Sequence, residues 1–199
     1  MVAPGVRPVP PATFLGEMLP YQTPGLPAER RVEDLLARMT LEEKAAQMMC
    51  VWQTKADTLV DHAGAFDVAK ARVAFAHGNG LGQVGRPSDA GGSGHEPEKG
   101  RGPRAQAELT NDIQRFFLEE SRLGIPVVFH DECLHGHAAV GGTSFPQPIA
   151  LGATFDPALV ERLYAMTAAE ARARGVHQAL TPVVVVARAR RPLPRDRRA

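Results

Sequence analysis

Apolar positions along the chain alternate between helical spacing and short continuous runs. Val32, Leu35, Leu36 and Met39 recur at helical intervals, and Thr40 with Glu43 forms a capping box that opens a second helix. Leu41, Ala45, Met48 and Met49 give that second helix an apolar face, which casts the methionines as core filling. Leu81 to Val84, flanked by glycines, predicts a short strand. From Arg104 to Arg122 one face carries Leu109, Ile113, Phe116 and Phe117 and ends at Gly124, the pattern of an amphipathic helix. Ile125 to Phe129 is too short for a buried helix and predicts a buried strand of a parallel sheet. Asp156-Pro157 caps and starts a further helix, with Leu159, Val160, Leu163, Tyr164, Thr167 and Ala168 facing inward and Gly175 as its stop. Leu180 to Val186 is a third strand candidate. Strand, helix, strand in this rhythm predicts an α/β fold with parallel pairing and right-handed crossovers.

The irregular segments set the limits of that unit. Residues 1–28 carry seven prolines before position 28 and predict an extended N-terminal arm. Residues 88–103 are rich in glycine and proline and predict a mobile loop. The last stretch, Arg188 to Ala199, holds six arginines with no amphipathic period. It predicts either a basic arm for an acidic partner or a coding sequence that has left its frame.

Composition adds little that is positive and excludes several classes. At 199 residues the chain fits one ordinary domain, 44% hydrophobic and with net charge +1. That balance gives no reason to expect nucleic acid or an anionic membrane as a partner. Cys50 and Cys133 lie far apart and predict free thiols, and no leader-like apolar segment opens the chain. A cytoplasmic location is the expectation.

Candidate chemistry gathers where the Ile125–Phe129 run breaks into His130, Asp131, Glu132 and His135. In α/β folds the C-terminal strand end is where ligands are handled. Asp131 and Glu132 are adjacent, so on an extended segment one faces a pocket while the other pairs locally. His130, His135 and His137 could serve a metal-dependent hydrolase, although a His-x-His ligand pair normally lies within a strand and needs further ligands. Gly80-x-Gly-x-x-Gly85 matches a dinucleotide fingerprint in letters only, since Pro87 follows where a helix should open. Ser144 and Cys133 lack the surroundings of an activated nucleophile.

Four stretches together resemble the N-terminal domain of glycoside hydrolase family 3, the β-glucosidases and β-xylosidases. They are Arg31 to Lys44; Asn111 to Arg115 with Ser121 to Pro126; the acidic-x-x-His-Gly motif in His130 to Gly136; and Phe145 to Pro157. The resemblance implies the N-terminal portion of a (β/α)8 TIM-type barrel, with about three strands in residues 29–188. It also implies a retaining β-glycosidase acting on terminal β-D-glucosyl or β-D-xylosyl residues, with no cofactor. Glu132 falls on the family carboxylate that accepts hydrogen bonds from sugar hydroxyls, which suits an ionised acceptor. With it go His135 and Arg86 as candidate substrate-binding residues. Val185 and Ala189 depart from the acidic residues of the family pattern, and residues 189–199 form an aberrant tail. The family's nucleophile and acid/base find no counterpart in this sequence. The expectation is therefore an inactive piece of a β-glycosidase that self-associates through unpaired sheet edges, or, alternatively, a non-catalytic carbohydrate-binding module.

Overall fold

A computed structural model describes residues 18–89 and 100–182. Most of the proline-rich arm, the middle of the 88–103 loop, the end of the third strand candidate and the arginine-rich tail lie outside the described residues. The described end of the arm is not extended throughout. Pro20–Gln22 turns as a 3-10 helix, and the buried Tyr21 donates its hydroxyl to the Leu123 carbonyl at 2.8 Å.

Four parallel strands form one sheet in the order β1-β2-β3-β4: β1 Cys50–Val51, β2 Gln83–Gly85, β3 Val128–Glu132 and β4 Gln178–Leu180. Helices α1 Ala28–Arg38 and α2 Leu41–Ala46 precede the sheet. Helices α3 Lys55–Thr58 and α4 Val68–Ala74 join β1 to β2, α5 Pro103–Glu120 joins β2 to β3, and α6 Pro148–Gly152 with α7 Pro157–Ala173 joins β3 to β4. Strands adjacent in sequence are adjacent in space, with no reversal of order. Doubly wound sheets reverse at a switch point, whereas a barrel keeps this sequential order. The outer edges of β1 and β4 have no strand partner among the described residues.

Three expectations are corrected here. The described residues hold four strands, one more than expected, because Cys50–Val51 is too short to show a period. The second helix stops at Ala46, so Leu41, Met48 and Met49 are exposed and fill no core. The central strand begins at Val128 instead of Ile125, because Pro126 has no N–H to give a ladder. Its residues His130 to Glu132 are therefore within the strand, not past its end.

Alternation along β3 sorts the two faces of the sheet. Phe129 and Asp131 are fully buried against the helices, while Val128, His130 and Glu132 share the opposite face. Leu59, Val60, Ala71, Leu81, Val84, Leu109, Ile113, Phe116, Phe117, Val127 and Phe129 form the main core between sheet, α4 and α5. Burial of each large apolar side chain there contributes about 1.5–3 kcal/mol. The predicted face of α5 is the observed one. α7 is more thinly covered: Thr167 and Ala171 are buried, Leu159, Val160, Leu163 and Tyr164 are half-buried, and Ala168 is exposed.

The capping box of α2 forms as its spacing predicts. Thr40 Oγ1 accepts from Glu43 N at 3.2 Å, and the Thr40 amide donates to Glu43 Oε2 at 2.8 Å. The buried Glu43 carboxylate also takes Arg122 Nε at 2.6 Å, which ties α2 to the end of α5. Burial alone pushes the Glu43 carboxyl up, but Arg122 and the Thr40 amide outweigh it and hold the group below its ordinary value. A lowered folded value means that the stabilisation is present above the ordinary carboxylate range and is lost as pH falls through the Glu43 value. Glu43→Ala should lower stability by about 2–4 kcal/mol near neutral pH, with the deficit shrinking towards pH 3. Urea unfolding at both pH values checks this, and an equal deficit at both would refute it.

Candidate functional site

The C-terminal ends of β2 and β3 carry the site. Past Gly85 the chain turns sharply: Arg86 and Asp89 both sit in the left-handed region, at φ of 48° and 49°. Arg86 also precedes Pro87, a position that further restricts its backbone. Buried Lys55, at the start of α3, secures this turn. Its Nζ donates to the carbonyls of Gly85 (2.8 Å) and Arg86 (3.1 Å) and pairs with Asp89 Oδ1 at 2.7 Å. Burial lowers the Lys55 value from the ordinary lysine range, and Asp89 pulls against that. Arg101 closes the other side, donating to the Gly64 carbonyl at 2.8 Å and pairing with Asp89.

Thus held, the Arg86 guanidinium lies 4.2 Å over the ring of Trp52, which directly follows β1, and forms an ion pair with Glu132. Glu132 Oε1 takes that pair, while Oε2 accepts nothing from any described residue. The carboxylate opens onto a cavity of about 500 Å³ lined by Glu132 and by residues of the Leu134–Ser144 loop, including His135.

Asp131 does the opposite job from Glu132. Fully buried, it accepts from Ser88 Oγ at 3.1 Å, from His137 Nε2 at 3.1 Å and from the Glu132 amide at 3.0 Å, with Gln106 Nε2 at 3.5 Å. It therefore joins the turn after β2, helix α5 and the loop after β3 at one point. The loop is fastened again from α7, where Tyr164 donates to the Leu134 carbonyl and Arg174 to the Val140 carbonyl, each at 2.8 Å.

His135 lines the cavity with Nδ1 sealed and without a partner, whereas Nε2 is neither sealed nor hydrogen-bonded among the described residues. A buried N–H with no acceptor is costly, so the lone pair belongs on Nδ1 and the proton on Nε2. His135 then faces the cavity as a donor beside an acceptor, Glu132. The structure thus brings the three sequence candidates into one neighbourhood, with Arg86 acting on Glu132 directly and His135 across the cavity wall.

The three imidazoles named as possible metal ligands do not converge. His130 pairs with Gln83 on the open face of the sheet, and His137 is taken by Asp131. Among the described residues no three His, Cys, Asp or Glu side chains come together as a ligand set. Cys133 is buried, and burial with the nearby Asp131 and Glu132 pushes its thiol up to about 12, so it is no nucleophile. Both cysteines are free. No helix among the described residues is long and apolar enough to cross a membrane.

Sequence reasoning missed Lys55, Trp52, Ser88 and the depth of Asp131. No spacing signal marks them, because they meet only when four strands come side by side.

Comparison with known proteins agrees with this geometry. A putative β-xylosidase of Formosa agariphila is 34% identical over 162 residues, covering 81% of this chain and 20% of that protein. A periplasmic β-glucosidase/β-xylosidase of Dickeya chrysanthemi is 30% identical over 177 residues, covering 84% and 25%. Among solved structures, a β-glucosidase from Erythrobacter marinus superposes with a TM-score of 0.66 at 32% identity, covering 81% of this chain and 19% of that one. The chain thus spans a fifth to a quarter of the length of these two curated relatives. The model of the glycosyl hydrolase family 3 N-terminal domain matches residues 40–199. With the sequential parallel sheet and the paired strand-end loops already described, this chain belongs to glycosyl hydrolase family 3.

Proposed function

We propose that the 132–144 cavity is the part of a sugar-binding site that this chain contributes to a retaining β-glycosidase for terminal β-D-glucosyl or β-D-xylosyl residues. Supporting it above all is the state of Glu132, which lines the cavity with one carboxylate oxygen paired to Arg86 and the other accepting no hydrogen bond from a described residue. An ionised oxygen so presented accepts from a sugar hydroxyl in a charge-assisted bond, and the His135 Nε2–H donates to a neighbouring hydroxyl oxygen. A vicinal diol offers both partners. The names of the relatives, β-xylosidases and β-glucosidases, support the same substrate class.

Chemistry at the glycosidic bond needs more than this. A retaining mechanism places two carboxyl groups about 5–5.5 Å apart, one as nucleophile and one as proton donor. Among the described residues Glu132 is the one carboxylate on the cavity, and its role is to bind. This chain alone is therefore expected to bind D-xylose or D-glucose weakly and to leave aryl β-xylosides and β-glucosides intact. Amide shifts in the 132–144 loop on adding either sugar, absent in Glu132→Ala, test the binding. Unshifted amides in the wild type at saturating sugar count against the site. Turnover of the aryl glycosides, abolished by Glu132→Ala, would show that the chain holds a second carboxylate in range.

A further inference from the structure

We infer that Lys55 is a positioning residue for Glu132, acting through the backbone of Arg86. From the start of α3, Lys55 reaches across to the turn after β2, where its three protons go to Gly85 O, Arg86 O and Asp89 Oδ1. It is 3% exposed, so no solvent substitutes for these bonds. They fix Arg86 in a left-handed conformation that L side chains rarely adopt, made less favourable by the proline that follows. From that backbone position the guanidinium lies between the face of Trp52 and Glu132. Without the ammonium, the turn keeps the Arg86 amide on the His130 carbonyl (2.7 Å) and the Asp89 amide on the Arg86 carbonyl (3.0 Å), but the positive φ of Arg86 is less firmly held. Its side chain then shifts relative to Trp52 and Glu132, and Glu132 loses the ion pair that fixes its carboxylate beside the cavity.

The purpose of this arrangement rests on the reading of Glu132 as the sugar-facing carboxylate, but its test does not. Trp52 is the sole tryptophan of the chain, so its emission reports directly on the stacked guanidinium. Glu132→Gln removes the charge that holds Arg86 and should shift Trp52 emission in the folded chain. Lys55→Met should give the same shift, and the double variant should add nothing further, the non-additivity expected of groups that act in one line. If Lys55 only stabilises the fold, Lys55→Met lowers the melting temperature while Trp52 emission and its response to Glu132→Gln stay as in the wild type, and the proposal is wrong. Should Lys55→Met fail to fold, Lys55→Gln replaces it, because its amide still donates to a carbonyl but offers no charge to Asp89. A reduced Glu132→Gln response is then expected, and an undiminished one overturns the inference. Sugar titrations of the same proteins report separately on the binding reading: emission coupling without sugar binding would remove that reading and leave the positioning role standing.

Discussion

Asp131→Ala should cost this chain about 3–5 kcal/mol, the loss expected when a buried charge is cut from its hydrogen-bonded partners. The carboxylate is fully buried and serves Ser88 from the turn after β2, Gln106 from α5, His137 from the following loop and the amide of Glu132. Alanine leaves these donors facing a gap in the protein interior, where each unsatisfied group costs about 1–3 kcal/mol. Asp131→Asn should cost less, because one amide oxygen still accepts, but its NH2 group confronts donors on the other side. Urea unfolding at low protein concentration measures both variants, with the midpoint falling while the slope holds. A midpoint for Asp131→Ala within about 1 kcal/mol of the wild type would mean that these bonds do not hold the strand ends together.

The loop itself hangs on one glycine. Gly136 has φ of +108°, and a Cβ placed on it would stand 2.0 Å from the Thr143 carbonyl oxygen. The atoms it would meet, in Thr143 and Ser144, are all backbone, so no side chain can swing aside. Gly136→Ala should therefore destabilise the 132–144 loop by about 3 kcal/mol, from the disfavoured φ and the forced separation together. The core cluster of α5, β2 and β3 includes no residue of this loop, so the bulk of the sheet should survive. The expected signature is selective: amide protection falls at Phe145, whose N–H donates to the His135 carbonyl at 2.8 Å, and holds at Phe129. Sugar-induced shifts should vanish with it. Unchanged protection at Phe145 would show that the loop tolerates the added methyl group by rearranging.

How far the sequence foretold this depends on the kind of signal. Helix α5 was legible because Leu109, Ile113, Phe116 and Phe117 repeat on one face over more than two turns, and α2 and α7 announced themselves through Thr40, Glu43 and Asp156. Strand β3 was legible in place but not in extent. Its outer face carries His130 and Glu132, so a rule that equates a buried parallel strand with an unbroken apolar run ends it too soon. Strand β1 left no trace, since two residues have no period. The continued apolar spacing of Met48 and Met49 instead argued for helix, and tertiary pairing of Cys50 with Gln83 decided otherwise. At the site, Glu132 was found through a motif. Lys55 was not, because a lysine in a short helix reads as solvated surface until its carbonyl partners, some thirty residues later in the chain, come within reach.

The sequential strand order also bears on how such a chain is made. Synthesis releases the N-terminus first, and each new strand of this sheet pairs with the one completed just before it. Each described crossover can dock on a strand already in place. Loop closure then proceeds in modest steps, each joining strands separated by one or two helices. The same rule that lines up Arg86 with Glu132 thus lets their two loops meet as soon as β3 emerges.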